Sequence, residues 1–446
     1  MNIAMKIQNM RIRQWLRCSL LVGTLLTILA AGTALAAEPT APTVMELTLD
    51  QAVQLSLTNN PNGKIAVFDY EAAKGALTAA RSYRWPTISA THRDSRTLSA
   101  PSKVEPNPTA TDNYSNSVSL SWILWSGNKI ESQISQAKLS LDSSQWGIAA
   151  ARQQLKYNAT DAYFKFMAAR DAVKLAGESV TRLERYLQDV KLQFEVGVVA
   201  KVDVLRSEVE LAKAKQNLIE AQNAYDITMA NLNNVMGLPL TTELKVKGEL
   251  SYSKFEQDLA VCVDLALRQR PEIFQYTDAA KSAQEGITVA KSGYLPSISA
   301  TYTNGWYNTN FPGGNNYNWT VYLTTNWTFL DSGLTAGNVK KAVETYHKAQ
   351  EQLRQTVDSV QLDVRSTYLS LKSAEQSIQT SSAAVGLAEE DYAIKVIRYQ
   401  AGVGTNLDVL DAQVSLTTAK NNYLRAMYEY NNNRSKLDKA MGVPVK

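Results

Sequence analysis

Apolar side chains recur every three or four positions over most of this chain, and in a few short stretches they alternate strictly. Leu211, Ala214, Leu218, Ala221, Tyr225, Leu232 and Val235 follow the first rhythm, and so do Leu416, Ala419, Tyr423, Ala426, Tyr430 and Leu437. Sustained spacing of this kind predicts helices packed as coiled coils. The prolines leave room for them: none lies between Pro108 and Pro239, or between Pro312 and Pro444. Proline costs about 3 kcal/mol inside a helix, so such tracts suit long helices. From Gly127 to Gly197 the rise of ~1.5 Å per residue makes a rod of about 105 Å. A second helix is predicted to return from about Lys201 to Met236. These helices alone fit a soluble bundle equally well.

The alternating stretches behave differently. Trp319, Val321, Leu323, Thr325, Trp327 and Phe329 interleave with Thr320, Tyr322, Thr324, Asn326 and Thr328. Val118, Leu120, Trp122 and Leu124 interleave with Ser117, Ser119 and Ser121, with Ile123 interrupting the polar side. Apolar one way and polar the other over about ten residues is the pattern of a transmembrane β-strand. Two more strands are expected after Pro86 and Pro296, with turn-rich loops from Pro101 to Asn113 and from Phe311 to Asn318. The barrel segments are thus about 84–126 and 294–331. Trp85, Trp122, Trp125, Trp306, Trp319 and Trp327 fall within them, as aromatic girdles at a membrane interface do. A small soluble β-domain with an aromatic core is the alternative. In lipid, four strands cannot close, and each unpaired backbone group at an open edge costs several kcal/mol. The missing strands must come from further copies: two copies give eight, three give twelve.

The chain is also written twice, with a period of about 205–210 residues. Leu49, Ala52, Leu55 and Pro61 return as Leu259, Cys262, Leu265 and Pro271. Trp85-Pro86-Thr87-Ile88-Ser89-Ala90 returns as Leu295-Pro296-Ser297-Ile298-Ser299-Ala300. Trp125-Ser126-Gly127 matches Asp331-Ser332-Gly333. Gly197-Val198 followed by Asp203-Val204-Leu205 matches Gly402-Val403 followed by Asp408-Val409-Leu410, and Met236-Gly237-Leu238-Pro239 matches Met441-Gly442-Val443-Pro444. Kept order and spacing mean an internal duplication. Residues 37–246 form the first repeat and 247–446 the second, each a helix, two strands and a long helical hairpin.

Lys6, Arg11, Arg13 and Arg17 precede the apolar run Leu20 to Ala31, and Ala34-Leu35-Ala36 follows it. That is a secretory signal, with 1–36 expected to be removed. Arg17 before Cys18 does not make a lipoprotein site. The signal carries the whole excess of positive charge: without its four basic residues the chain has 42 of each sign, so nucleic-acid binding has no electrostatic footprint. Two His and two Cys in all make a His/Cys metal site or a disulfide framework improbable. No phosphate-binding G-x-x-x-x-G-K-[ST] loop and no nucleophile–base constellation occurs, so neither a cofactor nor catalysis is expected, and energy must come from a partner. His347 lies in a helical tract and reads as a packed or surface imidazole.

The duplication, the strand-then-long-helix order and the two Gly-Val…Asp-Val-Leu turns resemble the TolC family of outer-membrane efflux proteins, over about residues 45–444. The resemblance implies an α+β membrane protein: a homotrimer whose four strands per chain make a twelve-stranded barrel in outer-membrane lipid, continued by coiled-coil helices as a periplasmic tunnel. It implies docking with a periplasmic adaptor and an inner-membrane transporter, and passive conduction of small molecules or polypeptides. A periplasmic coiled-coil adaptor or scaffold without a barrel is the rival reading.

Gly197 and Gly402, with Val198 and Val403, mark the hairpin tips, where glycine permits the positive φ that ends a helix. Thr405 is a candidate N-cap. Asp408 and Asp411, three apart, share a helix face; the first half has Asp203 and Arg206 there. By itself such a pair is a solvated helix-start charge. The resemblance implies instead that three copies line the narrowest point of the tunnel, raising some pKa values and favouring cations. It also implies that Tyr399 bonds Asp203 to hold the gate closed. Gly404 departs from the family pattern, which places a basic locking residue there.

Overall fold

The computed structural model describes residues 45–100 and 107–445, so the expected signal 1–36 lies outside the described residues. The first repeat runs β1 (Met45–Leu47), α1 (Leu49–Asn59), α2 (Pro61–Ser82), β2 (Thr87–Ser99), β3 (Thr109–Trp125), α3 (Lys129–Glu195) and α4 (Lys201–Met236). The second runs β4 (Leu244–Val246), α5 (Leu259–Gln269), α6 (Pro271–Lys291), a 3-10 turn at Ser292–Tyr294, β5 (Ser297–Asn308), β6 (Asn316–Asn326), α7 (Leu334–Gln400) and α8 (Asn406–Ala440). Helices α3 and α7 each hold 67 residues, about 100 Å at the helical rise. The duplication reaches single contacts. Glu184 and Lys215 pair at 2.9 Å across the first hairpin, and their counterparts Glu389 and Lys420 pair at 2.7 Å across the second.

Where the sequence suggested one helix before the strands, there are two. Asn60 (φ −63, ψ 131) and Arg270 (φ −66, ψ 120) are extended, because the proline that follows crowds the helical region. Pro61 and Pro271 then open the next helix, where no amide donor is needed. Each break clamps the end of its own hairpin. Asn60 Nδ2 donates to the Val235 carbonyl at 2.8 Å, and Arg270 Nη1 donates to the Ala440 carbonyl at 3.2 Å. Arg270 is buried and also pairs with Asp363 at 3.0 Å. A parallel pair, β1 with β4, joins the starts of the two repeats, with Met45 opposite Leu244.

The larger sheet is antiparallel in the order β2-β3-β5-β6. Strands β3 and β6 begin earlier than the turn residues suggested, at Thr109 and Asn316, and β6 ends at Asn326, so Trp327, Thr328 and Phe329 of the alternating run lie beyond it. Its register sorts the side chains cleanly by face. One face carries the rows Ile88-Leu120-Tyr302-Val321 and Ala90-Val118-Asn304-Trp319, topped by His92-Asn116-Trp306-Tyr317. The other carries Thr87-Ser121-Thr301-Tyr322, Ser89-Ser119-Thr303-Thr320 and Thr91-Ser117-Gly305-Asn318. Ile123, the residue out of pattern, sits where the register shifts between Ile123 and Trp125. Two tryptophans fasten sheet to helices in the same way in both repeats. Trp122 Nε1 donates to the Arg84 carbonyl at 2.8 Å, and Trp327 Nε1 to the Tyr294 carbonyl at 3.1 Å.

The packed interior falls into three clusters. One surrounds Leu47, Phe166, Leu232 and Met236 in the first repeat, and a second surrounds Cys262, Leu371, Tyr430 and Leu437 in the other. The third joins the two hairpins near their tips through Tyr186, Val190, Val204, Tyr399 and Val409. The residues read from periodicity on α8, from Leu416 to Leu437, are buried or half-buried. Among the described residues no helix is long and apolar enough to cross a membrane.

Candidate functional site at the helical tips

Both hairpins turn by the same backbone motif. Gly197 (φ +79) and Gly402 (φ +73) take the left-handed conformation that ends a helix at low cost only in glycine. The amide of Val198 donates to the Gln193 carbonyl and that of Val403 to the Arg398 carbonyl, both at 2.9 Å. These bonds satisfy carbonyls that the helix end leaves free. The two valine side chains are then left 71% and 66% exposed at the extreme of each hairpin.

Helix α8 starts with a reciprocal cap. The Asp408 amide donates to Thr405 Oγ1 at 3.2 Å, and the Asp408 carboxylate accepts from the Thr405 amide at 3.1 Å and its hydroxyl at 2.6 Å. Lys395 adds a charge 3.5 Å away. The Thr405 hydroxyl above all, then its amide, holds the Asp408 carboxyl at about 2, well below the usual carboxylate range. Asp411 stands one turn further on, exposed, with no side-chain hydrogen bond or ion pair among the described residues. Within one chain the two carboxylates therefore differ: Asp408 is engaged by its own helix start and Asp411 is open. Asp411 lies with Arg206 and Glu210 along a groove of about 430 Å³ between α4 and α8. Its apolar lining includes Val202, Leu205 and Leu407.

The contact between hairpins turns on Asn406, a residue the sequence did not single out. Asn406, 3% exposed, donates its side-chain amide to the Asp203 carbonyl at 2.9 Å and to the Asp203 carboxylate at 3.4 Å. Its side-chain oxygen accepts from the Tyr186 hydroxyl at 2.8 Å and from Ser207 Oγ at 3.4 Å. Burial, and then the neighbouring Tyr399, push the Tyr186 phenol far above its ordinary value, so it is a permanent donor. The expected bond from Tyr399 to Asp203 is not formed. Tyr399 packs beside Tyr186, ring centroids 5.6 Å apart, and its buried hydroxyl has no partner among the described residues. Burial first, then the Asp203 charge, raise its pKa. The physical reason is that Asn406, with donor and acceptor in one group, occupies the place between Asp203 and the tyrosines. No local signal marks Asn406, because its partners lie about 200 residues away in sequence. The backbone also accounts for Gly404: a Cβ there would stand 3.0 Å from the Tyr399 nitrogen and 3.2 Å from the Arg398 carbonyl carbon.

The site thus belongs to a chain in which a two-faced sheet, whose outer strands pair on one side only, is joined to helices of about 100 Å. The profile of the outer membrane efflux protein family matches residues 52–238 and again 262–443, once in each repeat, and the chain belongs to that family. It is 25% identical over 385 residues to the probable efflux pump outer membrane protein TtgC of Pseudomonas putida, covering 83% of this chain and 78% of that protein. It is 26% identical over 310 residues to the outer membrane protein TolC of Escherichia coli, covering 65% and 62%. The Campylobacter jejuni CmeC outer membrane channel has the same fold, with a TM-score of 0.80 at 20% identity, over 88% of this chain and 85% of that one. The protein is an outer-membrane exit duct, with its helical part in the periplasm.

Proposed function

We propose that three copies of the chain close a twelve-stranded barrel, with the hydroxyl-bearing face of the sheet lining the pore and the apolar face meeting lipid. The observation that carries this is the two-faced sheet with free edges at β2 and β6. Such edges cannot stay open in hydrocarbon, and neighbouring copies supply the missing pairs. The two repeats, 37–246 and 247–446, each contribute two strands and one helical hairpin. Small molecules or polypeptides pass through, delivered by an inner-membrane transporter through a periplasmic adaptor. The adaptor docks at the tips, on Gly197, Val198, Gly402 and Val403.

In this reading the tips are also the gate. Asp411 from three copies faces the axis and gathers cations, while Asp408 holds the start of α8 and Asp203 and Tyr399 lie in the contact between hairpins. The gate opens when the hairpins part, a movement of rigid elements driven by whatever binds the open arrangement better. The test is the mass of the purified protein in detergent together with its conductance in planar bilayers. Trimers giving single-channel steps are expected. A monomer that stays soluble without detergent would be an adaptor or scaffold instead, and would overturn the reading.

A further inference from the structure

The pore-lining face carries one ionised side chain among the described strand residues, Arg93. Its row across the sheet is Arg93-Ser115-Tyr307-Asn316, beyond the three rows of Ser, Thr, Gly, Asn and Tyr already described. The other charged strand residues, Asp94, Arg96 and Asp112, lie on the opposite face, in register with the apolar rows. There they are matched: His92 stands 2.8 Å from Asp94, and Arg96 stands 3.6 Å from Asp112. Arg93 is exposed and has no ion-pair partner among the described residues. Along β2 it lies six residues past Thr87, about 20 Å at the rise of a strand, one position beyond the row of the aromatic pair Trp306 and Tyr317. Those rings mark the outer end of the apolar band, so Arg93 stands at the outer mouth.

We propose that Arg93 forms an anion-attracting ring at the outer mouth of the duct, opposite in sign to the acidic tips. The inference rests on the three-copy barrel, in which three guanidinium groups project into one opening. Hydroxyl and amide linings carry dipoles but no net charge, so three fixed positive charges set the potential of that section. The ring's reach is set by salt: the screening length is about 30 Å at 0.01 M but about 3 Å at 1 M. The ring therefore acts across the pore in dilute salt and vanishes electrically in concentrated salt.

The experiment uses full-length protein in planar bilayers, with inorganic tripolyphosphate as the probe, added to either side. Block from the outer side is expected at low salt and is lost in 1 M KCl. Arg93→Gln raises the concentration for half-block by about tenfold or more, while Arg93→Lys retains the block. The same Arg93→Gln trimers, confirmed by mass in detergent, keep wild-type block by divalent cations from the periplasmic side. Conducting trimers of Arg93→Gln with unchanged tripolyphosphate block overturn the ring and leave the channel reading intact. Wild-type protein that forms no conducting trimers overturns both.

Discussion

The side-chain amide of Asn406 donates to the backbone carbonyl of Asp203 at 2.9 Å, so the first turns of the two return helices are tied to each other. The tie is buried, and it is two-sided, since the Asn406 oxygen also receives the Tyr186 hydroxyl. A buried amide with all its partners in place holds one arrangement, and the same amide removed leaves several groups unpaired. Parting of the hairpins, the opening proposed above, breaks this tie.

Replacing Asn406 with alanine strands the Tyr186 hydroxyl and part of Asp203, at about 1–3 kcal/mol. That free energy is lost from the joined arrangement alone. The open population should therefore rise about fivefold or more, read as longer single-channel openings. Asn406→Asp should go further, because it sets a second carboxylate against that of Asp203. Unchanged open times in both variants would remove Asn406 from the gate.

Tyr399 and Tyr186 should respond in opposite ways to loss of the hydroxyl. The Tyr399 hydroxyl is buried without a partner among the described residues, so Tyr399→Phe removes a desolvated polar group and should leave conductance and melting temperature unchanged or slightly raised. Tyr186→Phe removes a 2.8 Å bond to Asn406 and should cost about 1 kcal/mol, with more frequent opening. A Tyr399→Phe channel that opens more than Tyr186→Phe would reinstate the tyrosine–aspartate bond implied by family resemblance.

Much of this molecule was legible in its sequence, because helix and strand rhythms are local. The 3.5-residue spacing placed α4 and α8, and strict alternation placed β3 and β6 with their faces. The duplication was legible because glycine and proline mark the same turns twice. What stayed hidden depends on partners far along the chain. Asn60 and Arg270 do the same work at the ends of α4 and α8 with unlike side chains, so no motif connects them. The β1–β4 pair rests on three residues a strand, too few for a pattern. Nothing in the sequence marks Asn406, because its partners Tyr186 and Asp203 come from the other hairpin.

Asp408 gives the tips a definite pH dependence. Its folded pKa is about 2, depressed from an ordinary 3.8 by the Thr405 cap. A depressed carboxylate contributes stability above its unfolded value, and that contribution is lost as pH falls from about 4 towards 2. Protection of the amides at the start of α8 against hydrogen exchange, taken relative to their intrinsic rates at each pH, should fall over that window in the wild type. In Asp408→Asn the protection should be lower at neutral pH and flatter below pH 4. Because Asp408 is occupied by its cap while Asp411 is open, Asp411→Asn should weaken divalent-cation block more than Asp408→Asn does. Equal weakening would place both carboxylates on the conduction path.

Gly402 and Gly442 share a left-handed backbone, with φ +73 and +74, but differ in what surrounds them. A Cβ on Gly402 meets nothing within 4 Å, so Gly402→Ala should cost only the conformational strain, about 1–2 kcal/mol. A Cβ on Gly442 would stand 2.8 Å from both the Arg270 nitrogen and the Gln269 carbonyl carbon. Those atoms belong to the break between α5 and α6, which the Arg270 clamp on α8 holds in place, so they cannot give way as a flexible side chain could. Gly442→Ala should therefore add steric displacement to the same strain and lower the melting temperature of the detergent-solubilised protein by clearly more than Gly402→Ala. It should also loosen Arg270 from the Ala440 carbonyl, seen as faster amide exchange at the end of α8. Equal melting temperatures for the two variants would show that this junction yields, and that the Arg270 clamp does not fix the base of the second hairpin.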